Sequence, residues 1–151
     1  MKHLYLIALS VLFAFSAKSQ ILAPVKWSYG SKKTSKTTAI IFIKATMDNG
    51  WHIYSQHTPK DGPIKTTIKF VPSKTYTLNG KTIEPKPIIK FEKTFGMNVS
   101  YFEKTVIFQQ KVNINTSNPT IKGTIAFMAC DDTRCLPENT INFSIPIKDL
   151  S

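Results

Sequence analysis

Beyond its first twenty residues this chain has no apolar run of membrane-spanning length, no sustained helical period with caps, no internal repeat, and no low-complexity tract or linker. Those absences argue against a membrane-spanning body, a helical bundle and a multidomain chain. There is no phosphate-cradling glycine loop, no defensible serine-histidine-acid set, and no pair of carboxylates at telling positions. Nucleotide and common hydrolytic chemistries therefore lack their usual residues. Arginine is nearly absent, since Arg134 alone stands among 20 lysines and arginines, and there are only 2 cysteines.

Those two cysteines lie in Cys130-Asp131-Asp132-Thr133-Arg134-Cys135-Leu136-Pro137. A bridge between them closes a very short ring, for which chain entropy supplies about 2 kcal/mol, against roughly 4.7 kcal/mol for a loop of a hundred residues. A pair so close is better suited to opening and closing than to stapling a fold.

The N-terminus points to an oxidising compartment. Lys2 and His3 precede an apolar run from Leu4 to Phe15, and Ala17 and Ser19 are small residues suited to a signal-peptidase cut near Gln20. As a helix that run rises about 18 Å, short of a hydrocarbon core of about 30 Å. No cysteine follows it to take a lipid anchor. The expected organisation is a signal peptide over 1–19 and one domain over 20–151, exported, soluble and able to form disulfides. Loss of Lys2 and Lys18 lowers the formal charge of +11 by two. The remaining lysines are mostly scattered singly through strand-like segments, which describes a solvated surface. Neither nucleic acid nor a membrane surface is the expected partner.

The mature segment reads as all-β. Ala39 to Ala45 is rich in β-branched residues and ends at Asp48-Asn49-Gly50, a turn signal. Trp51 to Tyr54, Ile64 to Val71, Tyr76 to Leu78 before Asn79-Gly80, Ile88 to Phe91, one long run from Tyr101 to Ile114, Thr120 to Met128 and Ile141 to Ile147 continue the pattern. In the last, Ile141, Phe143, Ile145 and Ile147 share a face. Seven to nine short strands with turns between them predict an immunoglobulin-like antiparallel two-sheet sandwich. Cys130 then ends one strand and Cys135 leads into the last, so the pair sits on a loop held by rigid strands. The sheet-pinning disulfide of antibody domains needs cysteines far apart in sequence.

Asp131 and Asp132 disfavour a thiolate, and Arg134 favours one. Arg134 also offers a dock for a partner carboxylate. No histidine lies near the pair in sequence, and no general base is named. His52 and His57 with the two cysteines give a formal zinc set, but such a pair in an oxidising space more often forms a disulfide, and no metal or cofactor is expected. Trp51, Tyr54 and Phe95 are candidates for an aromatic surface, although aromatics in a sandwich more often serve the core.

Phe127-Met128-Ala129-Cys130 through Cys135-Leu136-Pro137, with Tyr101-Phe102-Glu103, Glu92-Lys93-Thr94-Phe95-Gly96 and Gly50-Trp51-His52-Ile53-Tyr54, resembles the periplasmic N-terminal domain of DsbD, the thiol:disulfide interchange protein. The ordered set covers most of the mature segment. The resemblance implies an immunoglobulin-like domain that takes electrons from a membrane-embedded thiol transporter and passes them to exported thioredoxin-fold proteins. It implies Cys130 and Cys135 as the exchanging pair and Phe95 as a cap over them; Tyr54, Asp131 and Arg134 are the supporting candidates read from the residues themselves. It places the domain in the periplasm as a monomer with protein partners and no small-molecule substrate. The chain departs from the family pattern in three places. Four residues rather than five separate the cysteines, Glu138 stands where a second proline often follows, and Lys93-Thr94 replace two acids before the phenylalanine. No membrane domain follows Ser151, so the donor is expected to be a separate protein.

Two readings remain. One is a redox module, enzymatic in the sense of a protein-disulfide reductase or interchange component. The other is an immunoglobulin-like binding or assembly module whose short disulfide only stiffens a loop.

Overall fold

The structure, a computed structural model, describes residues 22–148. The apolar run, the cleavage position near Gln20 and the ends of the expected domain lie outside the described residues. Among the described residues there are strands and no helix, and hence no helix long and apolar enough to cross a membrane.

One four-stranded antiparallel sheet has the order β1 (Val25–Lys33), β2 (Thr38–Met47), β8 (Thr105–Ile114), β5 (Tyr76–Ile83). A second has the order β10 (Ala129–Cys130), β3 (His52–Tyr54), β7 (Met97–Glu103), β6 (Ile88–Glu92). A third is three-stranded, in the order β11 (Asn139–Pro146), β9 (Thr120–Phe127), β4 (Thr67–Phe70). The chain passes almost directly from β9 into β10, so the second and third sheets form one layer facing the first.

Strict alternation builds the core between the layers. On β2 Ala39, Ile41, Ile43 and Ala45 are buried; on β8 Val106, Phe108, Val112 and Ile114 are buried. Ile121, Ile125 and Phe127 of β9 and Phe143 and Ile145 of β11 meet them from the other layer. Packing at β9 is tight. A Cβ on Gly123 would stand 2.2 Å from the Lys69 carbonyl oxygen and 2.3 Å from Cζ of Phe143. Only glycine fits where β4 and the Phe143 ring both close over the strand. Gln110, buried on the core face of β8, gives its amide to the carbonyls of Gly80 and Lys111 and accepts from Thr82 Oγ1.

The immunoglobulin-like sandwich expected from the sequence is the fold found, with three local differences. The run Tyr101 to Ile114 is two strands, broken at Lys104, whose φ of 60° turns the chain from one sheet into the other. Phe102, Val106 and Phe108 keep even spacing across the break, so alternation hides it. Asn79-Gly80 lies inside β5, where the register against β8 shifts between Asn79 and Ile83. Finally, β1 was not among the expected strands, because it is an edge strand none of whose residues is fully buried. At Asp48-Asn49-Gly50 the turn is present, with Gly50 at φ 81° and the Trp51 amide donating to the Asp48 carbonyl.

Candidate functional site: a disulfide at the edge of the second sheet

The second sheet has two unlike faces. Ala129, Ile53 and Phe102 are register neighbours across β10, β3 and β7 and belong to the main core. Residues one position away point the other way. They form a small separate cluster of Tyr54, Val99, Tyr101, Met128 and Cys130, with Phe95 and Met97 packed against it.

Cys130 is bonded to Cys135. Cys130 is 1% exposed, while Cys135 is exposed to solvent. The connection between them is a tight turn. Asp131 N–H donates to the Arg134 carbonyl at 2.9 Å, and Leu136 N–H donates to the Ala129 carbonyl at 2.8 Å. Asp131 Oδ1 accepts from Thr133 Oγ1, Thr133 N–H and Arg134 N–H, each at 2.8 Å. Led by the Thr133 hydroxyl, these donors hold the Asp131 carboxyl down at about 2. Asp131 is thus the organiser of the loop. Arg134 Nε lies 3.5 Å from Asp131 Oδ2, and its guanidinium stands 5.8 Å from the centre of the Trp51 ring.

Beside the pair, a groove of about 690 Å³ is lined by the cysteines and their loop, by His52 and Tyr54 of β3, by Tyr101 and Glu103 of β7, and by residues 90–95. The β6–β7 hairpin closes it. Phe95 N–H donates to the Glu92 carbonyl, and Gly96 takes φ 64°. That left-handed position favours glycine and turns the half-buried Phe95 ring onto the cluster that contains Cys130.

Of the residues singled out in the sequence, Cys130, Cys135, Asp131, Arg134, Phe95 and Tyr54 all line this groove. Tyr54 is buried, and its hydroxyl, pushed up to about 12 chiefly by burial, lies 3.3 Å from His52 Nε2. Trp51 separates from Tyr54 and Phe95 and joins the main core. His57 is exposed on the loop after β3 and does not line the groove. Among the described residues no group of three or more histidines, cysteines and acids is arranged to hold a metal.

His52 is the residue that sequence reasoning placed too far away. It is the register partner of Cys130 on one side and of Glu103 on the other. Alternation put His52 and Tyr54 on one face, but no local signal told which strands would flank them. Burial lowers the His52 pKa, against the pull of Glu103, Asp132 and Glu92.

An antiparallel sandwich that presents one short disulfide at a strand end, half buried and half open to a groove, defines an immunoglobulin-like domain with a single surface cysteine pair. Residues 18–146 match the family model described as thiol:disulfide interchange protein DsbD, N-terminal, and the chain belongs to that family. The fold is similar to that of the DsbD N-terminal domain of Neisseria meningitidis in the reduced form. The match has 14% identity and a TM-score of 0.51, and covers 80% of this chain and 85% of that one. It is also similar to the N-terminal periplasmic domain of ScsB from Proteus mirabilis, at 16% identity and TM-score 0.58, covering 85% of this chain and 49% of that one. A third similar structure is the complex of the DsbD and PilB N-terminal domains from Neisseria meningitidis, at 12% identity and TM-score 0.53, covering 83% and 88%. No curated protein sequence matches the chain.

Proposed function

We propose that this protein is an exported thiol-disulfide exchange module, in which Cys130 and Cys135 cycle between dithiol and disulfide to relay electrons between proteins. The observation that carries the reading is the asymmetry of the pair: Cys135 is open to solvent while its bonded partner Cys130 is buried. Exchange proceeds by in-line attack of a thiolate on a sulfur it can reach. A partner thiolate therefore forms its mixed disulfide with Cys135, and Cys130 is the leaving sulfur. In the opposite direction Cys135 attacks the partner disulfide and Cys130 resolves the intermediate.

Family membership supports this reading, and the complex of a relative's N-terminal domain with the PilB N-terminal domain supports protein partners. Exported thioredoxin-fold proteins are the proposed acceptors and a separate membrane-embedded thiol transporter the proposed donor. The domain spans 20–151 after signal-peptide removal and works in the periplasm. Phe95 acts as a cap whose displacement opens the cluster side of the bridge, and Tyr54 forms the floor beneath it. Asp131 holds the loop geometry while Arg134 faces the incoming partner.

Trapping tests this reading. In the native host, Cys130→Ser leaves Cys135 able to form a mixed disulfide that nothing resolves. The expected result is a covalent adduct with a thioredoxin-fold protein, absent in Cys135→Ser. If neither variant captures such a partner, the disulfide is a loop brace and the binding-module reading replaces this one.

A further inference from the structure

The row that runs across the outer face of the second sheet places three chemistries side by side. Cys130 on β10 pairs with His52 on β3, and His52 pairs with Glu103 on β7. Directly opposed residues of antiparallel strands carry their side chains on the same face, with Cβ atoms about 5 Å apart. All three line the groove beside the disulfide. A thiol, an imidazole and a carboxylate in that order form the arrangement by which a base is oriented and a sulfur nucleophile is deprotonated.

We propose that His52 accepts the proton of Cys130 when the buried cysteine acts as a nucleophile, with Glu103 stabilising the imidazolium that forms. The inference rests on the exchange reading given above and assigns a role within it. His52 is held for this task. Its ring lies 5.3 Å from that of Tyr54 and 5.0 Å from that of Tyr101, centre to centre. Nε2 lies 3.3 Å from the Tyr54 hydroxyl. In the tautomer that donates Nε2–H to that hydroxyl, Nδ1 keeps the lone pair.

The surroundings of His52 are mixed in sign. Its own strand offers the neutral Tyr54, β7 offers Glu103 and Tyr101, β6 offers Glu92 and Lys90, β10 offers Cys130, and the cysteine loop offers Asp132. Burial and Lys90 favour the neutral ring, and the three acids favour the imidazolium. A ring neutral at rest but surrounded by acids takes up a proton readily when a thiol beside it releases one.

The step balances as follows. The Cys135 thiolate attacks the partner disulfide, forming a Cys135–partner bond and expelling the partner's first sulfur as a thiolate, which takes a proton from water. Cys130 gives its proton to His52, and the resulting thiolate attacks Cys135 Sγ. The Cys130–Cys135 bond forms, the Cys135–partner bond breaks, and the partner's second sulfur leaves, taking the proton from His52. Two electrons pass from the cysteine pair to the partner disulfide, which becomes a dithiol.

The test follows the thiol itself and needs no partner. In reduced Cys135→Ser protein, Cys130 is titrated through the ultraviolet absorbance of its thiolate, with His52 present and with His52→Gln. Glutamine keeps a hydrogen-bonding group for Tyr54 but accepts no proton. The expected result is a fall of about tenfold in thiolate fraction at neutral pH in His52→Gln. An unchanged Cys130 titration overturns the proposal, because a histidine that only fills space leaves the thiol where it was. A second measurement keeps the native side chains. The ring resonance of His52, followed by NMR, is expected to titrate at higher pH in reduced than in oxidised protein, and Cys130→Ser is expected to abolish that difference. No difference between the redox states also overturns the proposal. Failure to trap a partner removes the exchange reading while leaving these titrations unaffected, so the two failures are distinguishable.

Discussion

The molecule contains two apolar clusters, which share only the strands β3, β7 and β10 and take opposite faces of them. The main core, centred on Ile43, Phe108, Ile125 and Phe143, is aliphatic and aromatic and lies between two layers. The smaller cluster lies on the outer face of one sheet and is made of Tyr54, Val99, Tyr101, Met128 and Cys130, with Phe95 and Met97 against it. Around the second cluster stand His52, Glu92, Glu103, Asp131 and Arg134. The first removes hydrocarbon from water, which is what holds a sandwich together. The second gathers a sulfur, two phenol rings and two thioethers on the outer face of one sheet, with Phe95 of the β6–β7 turn packed against them. The main packing and the candidate site thus lie on opposite faces of the same sheet, with Ile53 and Phe102 turned to one and His52 and Tyr54 to the other.

Substitutions on each side can break that division. Phe108→Ala, in the main core, should lose the most, about 3–5 kcal/mol in chemical denaturation, while leaving the Cys130–Cys135 bridge intact. A loss under about 1 kcal/mol would mean that the layers are not held by this core. Replacing both cysteines with serine should cost about 2 kcal/mol or less, since the ring is short, and the β-dominated circular dichroism spectrum should persist. A chain that no longer folds would place the disulfide among the structural supports.

Phe95→Ala should cost about 1 kcal/mol or less, because the ring is only half buried on a hairpin turn. Its effect should instead appear in kinetics, as faster reduction of the bridge by small non-partner thiols. Equal rates would remove Phe95 from the site. The smallest effect concerns pH. The Asp131 carboxyl is held down at about 2, below its ordinary value, so its contribution to stability is present above about pH 4 and is lost as the pH falls through about 2. Urea midpoints of the protein and of Asp131→Asn should therefore differ at pH 5 and converge toward pH 2. A difference that persists at the acid end would assign the stabilisation to something other than the ionised carboxylate.

Much of this division was legible in the sequence, and the limits have physical causes. Alternation in Ala39–Ala45, Thr105–Ile114 and Ile141–Ile147 gave the strands, because a half-buried antiparallel sheet imposes a period of two. The cysteine spacing and strand-end position pointed to the loop where the bonded pair and its groove lie. The break at Lys104 escaped because a left-handed residue costs one turn without disturbing the even spacing of the core residues around it. His52 escaped for a different reason. It lies far from Cys130 in the chain, and register between strands is set by the whole sheet rather than by neighbours in sequence. The bonded state of the pair, its burial asymmetry and the Asp131-centred turn also needed the folded chain, since each depends on which donors the loop brings together.

The most direct measurement on the central claim is the reduction potential of Cys130–Cys135, obtained by equilibration of the protein with glutathione redox buffers. A bridge made for exchange, with Cys135 open to solvent, is expected above about −300 mV. A potential well below that value, in a protein whose Cys135 no thiol attacks at a measurable rate, would contradict the claim and leave the disulfide as a brace for its own loop.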